Sequence, residues 1–220
     1  MKKIILIIFI IFCSCLSDND EISIQGEISG LNNSNIYLIK VDDNIVLDSS
    51  KVVNEEFNLT AYIYEPRELA LRIESKDSKK SFSFFSEPSS KIIFTTSLEK
   101  FEFNGKIENS SLNSEFEKLK IQLNKYDEKD LEMLGQQIEA SIEQNKIKYD
   151  SLNKKRIKLT QKKILFVVNY CLNNNSNNLA PYMAYKYREN ISENFLKEIY
   201  KNLSTDMKET YYGIRLISTP

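Results

Sequence analysis

The chain has 220 residues, which suits one or two domains with a sizeable core. Hydrophobic residues make up 41% of it and charged residues 28%, a composition typical of a folded protein. Its formal net charge is −1, so no overall field would attract nucleic acid or another anionic partner. Histidine is absent, which excludes a Ser-His-Asp triad, a Cys-His pair and imidazole metal ligands.

Residues 1–15 are typical of a lipoprotein signal. Lys2 and Lys3 precede the unbroken apolar run Ile4–Phe12, which has the length of a signal-peptide core and is too short to span a bilayer as a helix. Ser14-Cys15 resembles the box in which lipoprotein signal peptidases require a small residue before the acylated cysteine. We predict removal of residues 1–14 and lipid attachment at Cys15, with Cys13 as the alternative acceptor. An ordinary secretory signal and a buried N-terminal strand are the competing interpretations.

Residues 15–21 continue as a polar, acidic segment, which we interpret as a solvated tether between the lipid and the folded part. This segment resembles the acidic export signal that carries lipoproteins of Bacteroidota to the outer-membrane surface. We therefore expect an exported protein that is held by its lipid anchor in the cell envelope, at the outer membrane. Whether it faces the periplasm or the outside stays open.

From residue 22 to residue 107 the apolar residues mostly alternate with polar ones, and turn residues recur at short intervals. Alternation with period two predicts half-buried strands. The predicted strands lie near 22–28, 36–39, 45–53, 57–63, 69–73, 82–85, 92–94 and 101–103. Short strands at this spacing predict an antiparallel β-sandwich or barrel-like domain over residues 22–110.

After residue 110 the apolar spacing becomes helical. One apolar face runs through Leu112, Phe116, Leu119, Leu123 and Tyr126, and we expect Leu131, Leu134, Ile138 and Ile142 to continue it. The pattern predicts a long helical hairpin over about 112–172 in a helical lobe at 111–220. Three shorter helices follow at 179–187, 193–203 and 206–217, with Ser192 and Thr205 as N-caps of the last two. The fold class is therefore α+β.

Residues 22–116 resemble the domain of unknown function 4369. This domain lies at the N-terminus of Bacteroidota lipoproteins and usually precedes a thioredoxin-like domain of the thiol-disulfide oxidoreductase and peroxiredoxin type. The resemblance rests on the segments 26–31, 36–38, 47–52, 56–59 and 103–110. One departure is Asn54-Glu55, where the family tends to have Asp-Gly. The helical remainder is similar in arrangement to the lobe that precedes the thioredoxin-like domain.

The chain contains no Cys-x-x-Cys, so the redox chemistry of that second domain is not expected. Cys171 is the one thiol that we expect to remain free in the mature chain. We interpret it as a core cysteine, with a redox thiol as the alternative. The adjacent carboxylates of Asp42-Asp43 and Glu55-Glu56 lie in predicted turns and are poorly placed for a catalytic pair or a metal cage.

Two further groups of residues could bind a partner. The run 154–163 holds six positive residues, which we expect to pair with acids of the preceding helix; anionic lipid, nucleic acid and glycan are the alternatives. We expect packing inside the lobe or between lobes, rather than stacking on sugar rings, for Tyr182, Tyr185, Tyr187, Tyr211 and Tyr212.

The sequence thus predicts a non-catalytic cell-envelope lipoprotein that acts as a binding or accessory module, without cofactor or metal. Its expected partners are the membrane, through the lipid anchor, and an envelope protein or glycan. One alternative is a truncated or split thioredoxin-like oxidoreductase. Another is a surface lipoprotein that binds glycans or peptides.

Overall fold

The structure is a computed structural model that describes residues 20–74 and 79–217. The predicted lipid-attachment residue Cys15, its alternative Cys13 and the signal segment lie outside the described residues. The strands are β1 Glu21–Ser29, β2 Asn35–Lys40, β3 Ile45–Lys51, β4 Glu56–Tyr62, β5 Arg67–Glu74, β6 Lys79–Ser86, β7 Lys91–Ser97 and β8 Lys106–Glu108. The helices are α1 Ser111–Ile142, α2 Lys146–Asn173, α3 Leu179–Lys186, α4 Glu193–Asn202, α5 Thr205–Glu209 and α6 Tyr211–Ile217.

The eight strands form two four-stranded sheets, in the orders β4-β1-β7-β8 and β3-β2-β5-β6. Alternate side chains of both sheets enter one shared apolar core, as Ile24 of β1, Leu38 of β2 and Phe84 of β6 do. The predicted α+β fold with an antiparallel-rich β domain is confirmed. One pair of strands is not antiparallel. Strands β1 and β7 run parallel, and the chain between them forms all four strands of the second sheet.

The strand predicted at 101–103 is wrong. Phe101 is fully buried and Phe103 is 83% exposed, but both lie in a turn closed by the backbone bonds that Phe103 and Asn104 donate to the Lys100 carbonyl. The last strand is instead β8, which begins directly after Gly105. A Cβ on Gly105 would lie 2.6 Å from the Phe82 ring, so the close approach to the core requires glycine there.

The sheet β3-β2-β5-β6 is the middle layer of the molecule. Phe84 points into the sandwich core, whereas its neighbour Phe85 points into a second apolar cluster formed with the helices. Asn113 of α1 accepts a hydrogen bond from the Phe85 backbone N–H at 3.0 Å. Strands β5 and β6 are therefore buried on both faces, between the sandwich and the helical lobe.

The helical hairpin is confirmed as α1 and α2, and the Ser110 hydroxyl caps α1 by accepting from the Asn113 N–H. The predicted helix 206–217 is two helices, because Thr210 is extended between α5 and α6. The predicted cap at Thr205 is wrong by one residue, since Ser204 accepts from the Met207 N–H. Ser192 stands at the N-cap of α4 without a side-chain capping bond. Within the described residues, no helix combines the length and apolarity that crossing a bilayer requires.

Candidate functional site

Where β5 meets α3, a buried carboxylate holds the two lobes together. The side chain of Glu68 is only 8% exposed and accepts a hydrogen bond from the Tyr182 hydroxyl at 2.8 Å. Lys186 lies one helical turn beyond Tyr182 on the same face of α3. Its ammonium group donates to the Tyr182 oxygen at 2.6 Å and lies 3.3 Å from Glu68.

A second carboxylate beside this group binds α6. The Asp42 side chain, which is 12% exposed, accepts a hydrogen bond from the Tyr212 hydroxyl at 2.8 Å. The Arg67 guanidinium lies 3.6 Å from Asp42 and stacks 3.3 Å from the ring centroid of Tyr211. Burial raises the pKa of Asp42, although the Tyr212 hydrogen bond and the charge of Arg67 act in the opposite direction. We call Asp42, Arg67, Glu68, Tyr182, Lys186 and Tyr212 the inter-lobe latch.

The latch joins buried carboxylates to the phenol hydroxyl groups that donate to them, and it is not arranged for proton transfer. Burial raises the pKa of Tyr182 and of Tyr212 far above the usual value, and the neighbouring carboxylates raise it further. Both hydroxyls therefore stay protonated at neutral pH. Their rings pack on Phe85, with centroids 4.9 and 6.4 Å away. The prediction that these tyrosines serve inter-lobe packing is confirmed.

The two carboxylates of Asp42-Asp43 act separately, as expected. Asp42 belongs to the latch, whereas Asp43 pairs with Lys40 at 2.5 Å in the same turn. Arg67 and Glu68 were not predicted, because charged residues at the start of a strand usually face solvent. Helices from much later in the chain cover them, and no local pattern indicates this.

Glu55 and its neighbour Asn54 form the turn that was predicted between β3 and β4. Both have positive φ, 69° and 52°, the conformation that a type I′ turn requires and that glycine adopts without strain. Glu55 is held in this conformation by a hydrogen bond that its side chain accepts from the Gly30 N–H at 2.7 Å. Glu55 therefore has a structural role in this turn.

The Cys171 thiol is buried in the helical core, with 1% of its surface exposed. Burial raises its pKa to about 12, and its sulfur lies 3.3 Å from the Ala180 carbonyl oxygen. At neutral pH the thiol is protonated and buried, which confirms the core interpretation. The part of the chain that the structure describes has no cluster of three or more carboxylate or thiol groups that could hold a metal.

The distal half of the hairpin, furthest from the sandwich, has polar groups in its seam. The Arg156 guanidinium donates to both carboxylate oxygens of Asp130 at 2.8 Å and to Gln137 at 2.9 Å. Gln137 is only 4% exposed. Lys163 pairs with Asp127 at 2.6 Å. The predicted pairing of the basic run with acids of the preceding helix is confirmed for Arg156 and Lys163.

The large apolar residues of this half lie outside the seam. Leu131 is 69% exposed, Ile138 53% and Ile142 77%, so the prediction that they continue the buried face of α1 is wrong. Leu131 follows Leu123 by eight residues. At 3.6 residues per turn, its side chain is therefore rotated by about 80° around the helix axis relative to that of Leu123. We call the resulting surface the apolar hairpin face; it comprises Leu131, Gly135, Ile138, Ile142, Tyr149 and Ile157.

The hairpin has a different surface on its other side. A groove of about 420 Å³ between α1 and α2 is lined by Lys129, Lys155, Lys158 and Lys162, with Glu132 as the one acid among its lining residues. We call it the basic groove. On the apolar hairpin face, a groove of about 390 Å³ is lined by Leu134, Ile138, Ile142 and Tyr149 together with Gln137, Ser141, Asn153 and Arg156. The hairpin therefore presents a basic groove on one side, and exposed apolar residues around a groove of mixed lining on the other.

The comparisons with known proteins address the first half of the chain. Residues 22–116 match the sequence profile of the family described as Domain of unknown function (DUF4369). The predicted resemblance is confirmed for this region. No curated protein and no solved structure matches the chain.

The DUF4369 region supplies one side of the inter-lobe latch and none of the distal hairpin. It contains Asp42, Arg67 and Glu68, whereas their partners Tyr182 and Tyr212 come from α3 and α6. The region ends within the second turn of α1. The two hairpin surfaces therefore lie wholly outside the DUF4369 match.

Proposed function

We propose that this chain is a lipid-anchored protein of the cell envelope that works as a non-catalytic binding or accessory module. In this proposal residues 1–14 are removed and the lipid is attached at Cys15, with Cys13 as the alternative. The positive start of the chain, the nine-residue apolar run and the Ser14-Cys15 box support export and anchoring. The outer membrane is the proposed location.

The observation that carries the binding function is the exposure of large apolar side chains on the distal hairpin. A helical hairpin that needs no partner places its large apolar side chains in the seam. Here the seam holds Gln137 and Arg156 beside Leu152 and Ala140, while Leu131, Ile138 and Ile142 face solvent. Large contiguous apolar surfaces on folded proteins mark interaction sites. The distal hairpin therefore acts as the binding arm.

The remaining chemistry supports a module without catalysis. The carboxylates and phenols of the inter-lobe latch hold one another, and the Cys171 thiol is protonated and buried. We therefore expect the purified protein to reduce neither insulin disulfides nor peroxide. Turnover that disappears in Cys171→Ser would overturn this part of the proposal.

The anchor is tested by mass spectrometry of the mature N-terminus of protein purified from its own envelope. A diacylated or triacylated N-terminal Cys15 is expected. Acylation at Cys13 would move the site and keep the anchor, whereas an unmodified chain would overturn it. The binding arm is tested separately by placing a photo-crosslinking amino acid at Ile138 in intact cells, with Tyr64 as control. Tyr64 is 77% exposed and lies on the β domain.

The basic groove favours a second candidate, the binding of an anionic glycan. Within the described residues, Lys155, Lys158 and Lys162 form no ion pair, although they line one groove. Unpaired cations in a shared groove attract an anionic ligand. Replacing the three lysines with Gln should abolish retention on anionic glycan arrays. Unchanged retention would rule this candidate out.

A further inference from the structure

We propose that the partner of the apolar hairpin face is the same face of a second copy of this chain. The two hairpins lie parallel, with the two-fold axis along them, so that α1 of each copy packs against α2 of the other. This inference rests on the proposed binding function and names its partner. The four helices of the two hairpins would then bury the apolar side chains that one hairpin alone exposes.

Gly135 indicates that the covering element approaches closely. Glycine inside a helix is destabilising relative to alanine. A Cβ at Gly135 would meet nothing within 4 Å, so the fold of one chain does not require glycine there. Gly135 lies on the same side of α1 as Leu131, Ile138 and Ile142, at helical spacing. A partner backbone seated on this face would account for the missing side chain.

The charges at the edges of the apolar hairpin face identify the partner as a second copy. Arg156 and Lys163 of α2 are paired within the hairpin, and Lys155, Lys158 and Lys162 line the basic groove on the other side. Helical spacing places Glu139 of α1 beside Ile142, and Lys154 of α2 beside Ile157, at the edges of the face. A two-fold interface requires one surface that complements itself. An acidic edge on one helix and a basic edge on the other fulfil this requirement, because the copy presents each to its opposite.

The same charges select the parallel arrangement. In an antiparallel face-to-face pair, α1 would oppose α1 and α2 would oppose α2, which brings like-charged edges together. In the parallel pair, the acidic edge of α1 faces the basic edge of α2. The parallel pair also places both β domains at the same end. Two chains held by lipid in one membrane meet this condition without rearrangement.

The rim of the face allows one residue pair to be named. The Asp127–Lys163 and Asp130–Arg156 pairs fix the heights of the two helices relative to each other. Continuing this register by about 1.5 Å per residue places Glu139 at a height between Lys146 and Lys154. In the parallel dimer, Glu139 of one copy therefore lies within about 8 Å along the helix axis of Lys154 of the other, a separation that the two long side chains can bridge.

Photo-crosslinking of the full chain in its native envelope tests the partner. With the photoreactive residue at Ile138, we expect an adduct of twice the chain mass, with crosslinked peptides from α2 of the second copy. The Tyr64 control should give no such adduct. An adduct with a different protein would overturn self-association and leave the binding arm intact. No protein adduct would overturn both, and peptides from α1 would overturn the parallel arrangement.

Charge and apolar substitutions test the interface in the purified full chain by native mass spectrometry. Ile138→Lys enters the interface twice and should raise the dissociation constant of the dimer by about 100-fold. Glu139→Lys and Lys154→Glu should each raise it by about tenfold, and the double exchange should restore it. Lys155→Glu, in the basic groove, is the matched control and should leave it unchanged. These side chains are exposed, and circular dichroism checks that each variant folds.

The double exchange decides the arrangement. If both single variants raise the dissociation constant of the dimer and the double variant does not restore it, the parallel pairing of Glu139 with Lys154 is contradicted. An Ile138→Lys variant that associates as tightly as the wild type would overturn the interface altogether.

Discussion

Replacing Tyr182 with Phe removes one hydroxyl group from the junction between β5 and α3 and leaves the ring packing on Phe85 in place. The lost hydroxyl donates to Glu68 at 2.8 Å and accepts from Lys186 at 2.6 Å. A hydrogen bond to a charged group contributes about 1.5–3 kcal/mol, and Glu68 is too deeply buried for water to replace the donor. We therefore expect the free energy of unfolding to fall by about 2 kcal/mol.

The assay is urea denaturation at pH 7, followed by tyrosine fluorescence and by circular dichroism, because the chain has no tryptophan. Tyr185→Phe is the control, since its ring contacts Tyr212 and Arg188, but its hydroxyl forms no hydrogen bond with a described residue. The control should change stability by less than about 0.5 kcal/mol. A Tyr182→Phe variant as stable as this control would refute the latch. In a double-mutant cycle, Tyr182→Phe and Glu68→Gln should be clearly non-additive.

Three further predictions concern stability and reactivity. The pKa of Asp42 is raised in the folded state, so protonation of Asp42 favours folding. As the pH falls from 7 to 4, the wild type should gain stability relative to Asp42→Asn in urea denaturation. A stability difference that stays constant with pH would contradict this. Iodoacetamide at pH 8 should label Cys171 only in unfolded protein, as measured by peptide mass spectrometry; native labelling at the unfolded rate would contradict its burial. The same Gly→Ala change should act oppositely at two sites. Under monomeric conditions Gly135→Ala should stabilise the chain by about 0.5–1 kcal/mol. Gly213→Ala should lower the urea midpoint of unfolding, because the new Cβ would collide with the Met207 carbonyl oxygen. Equal urea midpoints for the two variants would contradict both assignments.

Local patterns predicted the elements well where one face alone is buried. Strand β4 alternates Phe57, Leu59 and Ala61 inward with polar residues outward, and its bounds differ from the prediction by one residue at each end. Alternation failed at Phe101 and Phe103, because a strand would place both rings on one face, whereas the turn buries Phe101 and exposes Phe103. The direction of the β1–β7 pairing could not be predicted, because it depends on the path of the intervening chain.

The candidate sites were harder to predict than the elements. Glu68 is buried by helices that lie more than a hundred residues later in the chain, so no local signal distinguishes it from an exposed strand residue. Helical spacing located Ile138 and Ile142 correctly on one face of α1. It could not show that the seam is occupied by Arg156 and Gln137 instead, since that depends on how two helices are rotated about their axes.

Strand β6 sets a limit on how the chain can be divided. Phe84 belongs to the sandwich and Phe85 to the helical cluster, so two adjacent residues join both cores through one rigid strand. A fragment that stops at the end of the family match, near Phe116, would keep the first core and expose Phe85 and the helical face of β5 to water. The region that matches the family profile, residues 22–116, is therefore smaller than the unit that folds. We expect a stable fragment for expression to include α3 and α6.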